Sequence, residues 1–289
     1  MKIRELIAVT LNKMKRIIII ICLLLSGCIK HNSQQMNIPE YNGQPFIILN
    51  HNQVEFDKED YKTESFIHLS PLDSLGRVQE AFACLSIDTM PKENDQREAI
   101  GMIKPSGWHT VRYDDLIEDK YLYNRCHLLA WSLSQINADE RNLMSGTRSF
   151  NIDGMLPFEN MIASYIKETH HHVLYKVTPL FNDFELVARG VQLQAISLED
   201  DQIELNVFIY NVQKGIEINY QTGESQRINE IKEDENIDNI HIINISSHVI
   251  HRTNCSVLEN TYEKNKRITT IPINILQLVG YKRCMSCHP

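Results

Sequence analysis

An α+β fold is predicted: a strand–turn–strand–helix unit backed by an antiparallel sheet, with a small Cys/His module at the C-terminus. Three observations predict it. From Pro157 onward, Phe158, Met161, Ile162, Tyr165 and Ile166 recur at three- and four-residue steps, the period of one buried helix face. Just before them, residues 122–129 read as a strand and 142–150 as a returning strand or loop. After them, the runs 173–177, 186–193 and 203–212 are rich in Val, Ile, Leu or aromatic residues and bounded by polar turns, as strands are.

The chain begins with an address. Lys13, Lys15 and Arg16 precede the apolar run 17–25, which ends in Leu25-Ser26-Gly27-Cys28. A basic segment, a short apolar segment and small residues before a cut make residues 1–27 an export signal. Nine apolar residues are too few for a permanent membrane span. The Leu-Ser-Gly-Cys ending resembles the lipobox of bacterial lipoproteins, which implies lipidation of Cys28 and a chain anchored to the membrane at the cell envelope or surface. A plain secretory signal with Cys28 incidental is the other reading. Residues 28–42 are polar and read as a flexible tether.

The body, 43–222, is long enough for one sizeable core. Its first part, 43–110, looks irregular, with an apolar cluster at 46–49 and a helical pattern around 76–85. Pro105-Ser106-Gly107 is turn chemistry, and the following Trp108, like Trp131, reads as a core anchor. Residues 223–239 form an acidic linker: from 224 on, six carboxylates face only Arg227 and Lys232. The module 240–289 reverses the sign, with six Lys/Arg against two Glu. The whole-chain charge of −8 lacks the basic footprint usual for nucleic-acid partners, so such binding must rest on local placement and a metal.

The residues able to do chemistry cluster between 97 and 159. Cutting a phosphodiester needs a base for water, a cation on the non-bridging oxygens and help for the departing oxygen. A neutral histidine is the natural base near neutral pH. Magnesium prefers oxygen ligands and keeps several of its waters, so one asparagine carbonyl with a carboxylate reaching through water is enough to hold it. His127, Asn151 and Glu159 fit those three roles. Arg125, two residues before His127 on a strand, would share its face and present a guanidinium to the same phosphate. Asn142 could bond the substrate or orient the base. Arg97 and Arg148 are candidate phosphate contacts. The run His170-His171-His172 follows a helix end and reads as a solvated loop rather than a metal site, because adjacent histidines there point in different directions.

These blocks resemble the DNA/RNA non-specific endonucleases of the ββα-metal (His-Me) finger type, most closely the streptodornase and DNA-entry nuclease branch. The likeness runs over roughly 43–222. It includes Leu72-Asp73-Ser74-Leu75-Gly76-Arg77, Pro105-Ser106-Gly107-Trp108, Asn124-Arg125-Cys126-His127-Leu128-Leu129-Ala130 and 141–151 from Arg141 to Asn151. It continues through Gly154-Met155-Leu156-Pro157-Phe158-Glu159-Asn160 and Val187-Ala188-Arg189-Gly190-Val191-Gln192. The resemblance implies a ββα-metal finger packed on an antiparallel sheet, with His127 as general base, Asn151 as Mg²⁺ ligand and Glu159 reaching the ion through water. Arg125 and Asn142 match supporting positions, and Mn²⁺ would substitute. DNA, and RNA as a second substrate, would be cut to 5′-phosphate ends. The chain departs from the common Asp-Arg-Gly-His motif at Asn124 and Cys126. The Cys126 side chain should point away from His127 into the core; a pairing with Cys84 would instead staple the hairpin.

At the C-terminus, His251 and Cys255 are answered by Cys284-Met285-Ser286-Cys287. That spacing suits a tetrahedral structural Zn²⁺, while in an exported protein a disulfide plus a free thiol is the alternative. Gly280-Tyr281 and the terminal Cys-x-x-Cys resemble small modules at the ends of exported nucleases. The rival to an enzyme is a non-catalytic surface lipoprotein that binds nucleic acid or metal through this module.

Overall fold

The computed structural model describes residues 38–228, 240–269, 273–278 and 280–289. The lipidation candidate Cys28, the export signal and most of the acidic stretch lie outside them.

Three short strands come first: β1 (Phe46–Ile48), β2 (Phe66–Leu69) and β3 (Ala81–Leu85). β4 (Tyr123–His127) follows, then the one-turn helix α1 (Trp131–Ser134) and β5 (Leu143–Thr147). A π-helical turn, Phe150–Met155, runs straight into α2 (Leu156–Thr169), with Pro157 in the first turn, where a missing N–H is tolerated. The strands β6 (Val173–Leu180), β7 (Gly190–Ser197) and β8 (Glu204–Tyr210) come next, then β9 (Ile216–Ile218) and β10 (Ser225–Arg227).

Six strands make one antiparallel sheet in the order β1-β8-β7-β6-β3-β2. α2 seals it: Phe158, Ile162 and Ile166 share a core with Tyr175, Val177, Val191, Leu193 and Ile209. Each large apolar side chain so buried stabilises the fold by about 1.5–3 kcal/mol. Phe46 meets Phe158 edge-on at 4.8 Å between ring centroids. Gly154 in the π-turn lies so close to β8 that a Cβ there would sit 2.5 Å from Ile209 Cγ2.

The α+β architecture is the predicted one, with three local corrections. The helical pattern around 76–85 is a turn followed by β3. Gly76 takes the left-handed conformation, φ +73°, while Asp73 accepts from the amides of Leu75 and Arg77. Pairing of Ala81 with Val177, and of each residue through Leu85, overrides the local pattern. The run 186–193 joins the sheet only at Gly190; Leu186 and Val187 donate instead to the Tyr220 carbonyl. At the start of the acidic stretch, Ser225–Arg227 pairs with β9.

The C-terminal residues form a four-stranded sheet with order β13-β11-β12-β14, from β11 (His241–Asn244), β12 (Val249–Arg252), β13 (Lys266–Thr269) and β14 (Lys282–Arg283), with the helix α3 (Ile273–Leu278) before the last strand. Its Ile243, Ile250, Leu276 and Tyr281 belong to the same core cluster as Phe158 and Ile162, so residues 38–289 form one compact unit.

Candidate active site

β4 and β5 pair antiparallel, with His127 opposite Leu143, Arg125 opposite Ser145 and Asn124 opposite Gly146. The missing side chain of Gly146 makes room for its neighbours: a Cβ there would lie 2.5 Å from Cys126 Sγ and 2.7 Å from Phe150 Cδ1. Cys126 therefore points into the core, on the face opposite His127, as alternation along a strand requires. The Cys84 staple does not form. Both thiols are free, and Cys84 Sγ lies 3.4 Å from the Lys62 carbonyl oxygen.

His127 is buried, and its Nε2 lies 3.0 Å from the Asn137 carbonyl oxygen. A carbonyl can only accept, so Nε2 carries the ring proton and Nδ1 is left with a lone pair. Burial holds the imidazole below its usual 6.5; the hydrogen bond to Asn137 opposes this, and the nearby Arg97 charge adds to it. The ring is thereby kept neutral, with one nitrogen available as a base.

Asn137 ties this arrangement together. Its amide donates to the Glu98 carbonyl at 2.6 Å, and its Oδ1 accepts from Arg97 Nε at 3.4 Å. Nothing in the sequence singled it out, because its bond to the histidine comes from the main chain, which any residue could supply.

Asn142 is fully buried and braces the backbone after the histidine. Its Oδ1 accepts from the Leu129 N–H at 2.9 Å, and its Nδ2 donates to the Leu129 carbonyl at 3.0 Å. Both side-chain bonds go to the main chain of Leu129, two residues beyond His127. Asn211, also missed by the sequence reading, links β5 to the main sheet through Thr147 N, Ser145 O and Ala188 O.

The arginines separate into distinct environments. Arg125 donates to the carbonyls of Ile103 and Gly101 and lies 4.0 Å over the Trp108 ring. Arg148 pairs with Asp119 at 2.5 Å. Arg97 lies 5.5 Å over the Trp131 ring and acts on both His127 and Glu159. Neither tryptophan is fully buried: Trp108 packs against the cluster of Tyr113, Leu122 and Tyr123 as expected of an anchor, and each ring also carries an arginine on its face.

Asn151 and Glu159 stand on the π-turn and the helix it feeds. In an unbroken α-helix, side chains eight apart are rotated by about 80°. The Leu156 N–H bonds back to the Asn151 carbonyl, a five-residue step that widens the turn and reduces that offset. Glu159 is a buried residue, and its carboxyl makes no hydrogen bond or ion pair among the described residues. Burial pushes its pKa up to about 8, although the Arg97 charge pulls the other way. The Asn151 carboxamide likewise makes no hydrogen bond to a described residue. A carboxyl and a carboxamide oxygen with no hydrogen bond to a described residue are a donor set that fits a hard divalent cation, and the Arg97 charge acts on both Glu159 and His127.

The remaining candidates lie elsewhere. His171 Nδ1 lies 3.0 Å from Asp200 Oδ2 and His172 Nδ1 lies 2.6 Å from Glu199 Oε1, hydrogen bonds that close the loop after α2 with half-buried groups. His251, Cys255, Cys284 and Cys287 converge in the C-terminal sheet, with ligand atoms all within 4.8 Å of one another.

Residues 58–198 match the family described as DNA/RNA non-specific endonuclease. A deoxyribonuclease of Streptococcus dysgalactiae subsp. equisimilis is 30% identical over 125 residues, covering 42% of this chain and 38% of that protein. The chain thus spans well under half of that relative. The crystal structure of NucA from Streptococcus agalactiae with magnesium bound superposes with a TM-score of 0.58 at 25% identity, over 67% of this chain and 93% of that one. The Sda1 nuclease with a bound zinc ion gives 0.50 at 28% identity, over 56% of this chain and 82% of that one. Residues 58–198 of this chain are a domain of the DNA/RNA non-specific endonuclease family.

Proposed function

We propose that the protein is a Mg²⁺-dependent endonuclease, with Mn²⁺ as a substitute, that hydrolyses DNA and also RNA without strong sequence preference. The observation that carries this reading is the His127 ring: its proton is fixed on Nε2 by the Asn137 carbonyl, and burial keeps it neutral. His127 Nδ1 then takes a proton from water as the oxygen attacks phosphorus. The Asn151 carbonyl would hold the cation, with Glu159 reaching it through water, and the cation would supply positive charge for the non-bridging and departing oxygens. Magnesium in the similar streptococcal NucA supports that choice of ion. Arg97, adjacent to both His127 and Glu159, approaches the scissile phosphate, while Arg125 and Asn142 hold the hairpin in place. By resemblance to the family, the products carry 5′-phosphates.

The proposal includes export and a lipid on Cys28, supported by the basic–apolar–Leu-Ser-Gly-Cys pattern of residues 13–28, which would put this activity at the cell envelope. The test is side-by-side digestion of supercoiled plasmid, single-stranded DNA and RNA with Mg²⁺, with Mn²⁺ and with EDTA. Metal-dependent loss of plasmid regardless of sequence is expected. Undiminished cleavage in EDTA would exclude the cation, and no cleavage of any substrate would exclude the enzyme.

A further inference from the structure

Four ligand-type side chains meet far along the chain from the nuclease residues. β12 and β14 run parallel, with Val249 beside Lys282 and Ile250 beside Arg283. The Cys284 N–H continues the ladder by donating to the Ile250 carbonyl at 2.9 Å. That register carries His251 and Cys255, at and just beyond the end of β12, against Cys284 and Cys287, just beyond β14.

The distances distinguish the chemistry. Cys255 Sγ and Cys284 Sγ are 3.9 Å apart, nearly twice the ~2.05 Å of a disulfide bond. Two thiolates at about 2.3 Å from one tetrahedral ion stand roughly 3.8 Å apart. His251 Nδ1 lies 3.3 Å from Cys255 Sγ, and all four ligand atoms fall within 4.8 Å of one another. The Arg252 N–H points at Cys287 Sγ from 3.3 Å, a donor suited to a thiolate. His251, Cys255 and Cys284 are buried. Around them the apolar filling is slight: Leu258 is the one fully apolar side chain among the buried members of the cluster. Apolar burial alone is a weak reason for these strand ends to stay together.

We propose that His251, Cys255, Cys284 and Cys287 bind one structural Zn²⁺ through one nitrogen and three sulfurs. Each cysteine releases its proton to solvent on binding, and no redox partner is needed. With all four positions filled by protein, the ion has no open site for a substrate. Its work is mechanical. Linking β12 to β14 holds Ile250 and Tyr281 in the core that α2 also occupies. The same sheet supplies Arg267, which pairs with Glu118 at 3.5 Å and acts on Asp153, two residues after Asn151. The zinc thereby stiffens the back of the π-turn.

The test uses the full chain, purified with Mg²⁺ in excess and without strong chelators. Elemental analysis is expected to find one zinc per chain. Co²⁺ exchanged into the protein is expected to give the intense visible bands of a tetrahedral cobalt thiolate. Cys284→Ser and Cys287→Ser should lose the zinc and melt at lower temperature, whereas His127→Ala and Asn151→Ala should keep it. Should the serine variants fail to fold, the cobalt spectrum of the unmutated chain decides alone. Zinc-free protein with freely titrating thiols overturns the proposal, and so does a mass lighter by two hydrogens with a Cys255–Cys284 bridge. Retention of zinc by a chain that cuts no nucleic acid would leave this proposal standing while removing the nuclease reading.

Discussion

Asn151 and Glu159 offer oxygen from the widened start of a helix, whereas His251, Cys255, Cys284 and Cys287 offer one nitrogen and three sulfurs from two strand ends. The first set is sparse and leaves most positions around a cation to water and substrate. The second is complete and closed. A hard ion that keeps its waters suits the first; a soft-ligand, four-coordinate ion suits the second. The contrast separates the two proposed roles: ligand exchange at the first site, and linkage of strands at the second.

That contrast can be broken most sharply at Asn151. In the proposed reaction Asn151→Ala removes the main protein ligand, and the Mg²⁺ concentration for half-maximal cleavage is expected to rise by more than about tenfold. A metal titration that superposes on the unmutated chain would contradict the role. Glu159 gives a smaller effect with a defined sign. Its carboxyl, raised to about 8, binds a proton in competition with the cation below that pH. Mg²⁺ half-saturation is therefore expected to rise as pH falls through 8. Glu159→Gln should flatten that dependence, and an unchanged slope would remove the carboxylate from the site.

Arg97 sharpens the account of the base. Because burial and the Arg97 charge both hold His127 below 6.5, the acid limb of kcat/KM at saturating Mg²⁺ should fall below pH 6.5. Arg97→Ala removes a repelling charge and should move that limb upward, measured as a pH–rate profile; a downward move would mean the guanidinium acts otherwise. The smallest effect expected is on stability. Gly146→Ala forces a methyl against Cys126 Sγ and Phe150, an overpacking that costs about 1–3 kcal/mol. Thermal melting would show it, and a melting temperature equal to the unmutated chain's would mean that the hairpin relaxes around the methyl.

The legible parts of the molecule were those whose signal is periodic or local. The five apolar positions from Phe158 to Ile166 announced α2, and the sequence blocks between 72 and 192 announced the nuclease likeness that the family match over 58–198 bears out. Parts that depend on partners distant in sequence were not legible. β3 became a strand because β6 lies beside it, although its own residues suggested a helix. Trp108 and Trp131 read as core, and Trp108 does pack on the Tyr113 cluster, yet each also supports an arginine that arrives from another segment. The Asn137 carbonyl that fixes the His127 tautomer has no side-chain signature at all. Only the fold, by bringing residue 137 back onto residue 127, makes that role visible.

The most direct measurement is the cleavage rate of supercoiled plasmid by His127→Ala against the unmutated chain at saturating Mg²⁺, with melting temperature and DNA binding recorded on the same preparations. Loss of the base is expected to lower the rate by about 10²–10⁴-fold while both controls stay unchanged. Equal rates for the two proteins would contradict catalysis by this imidazole.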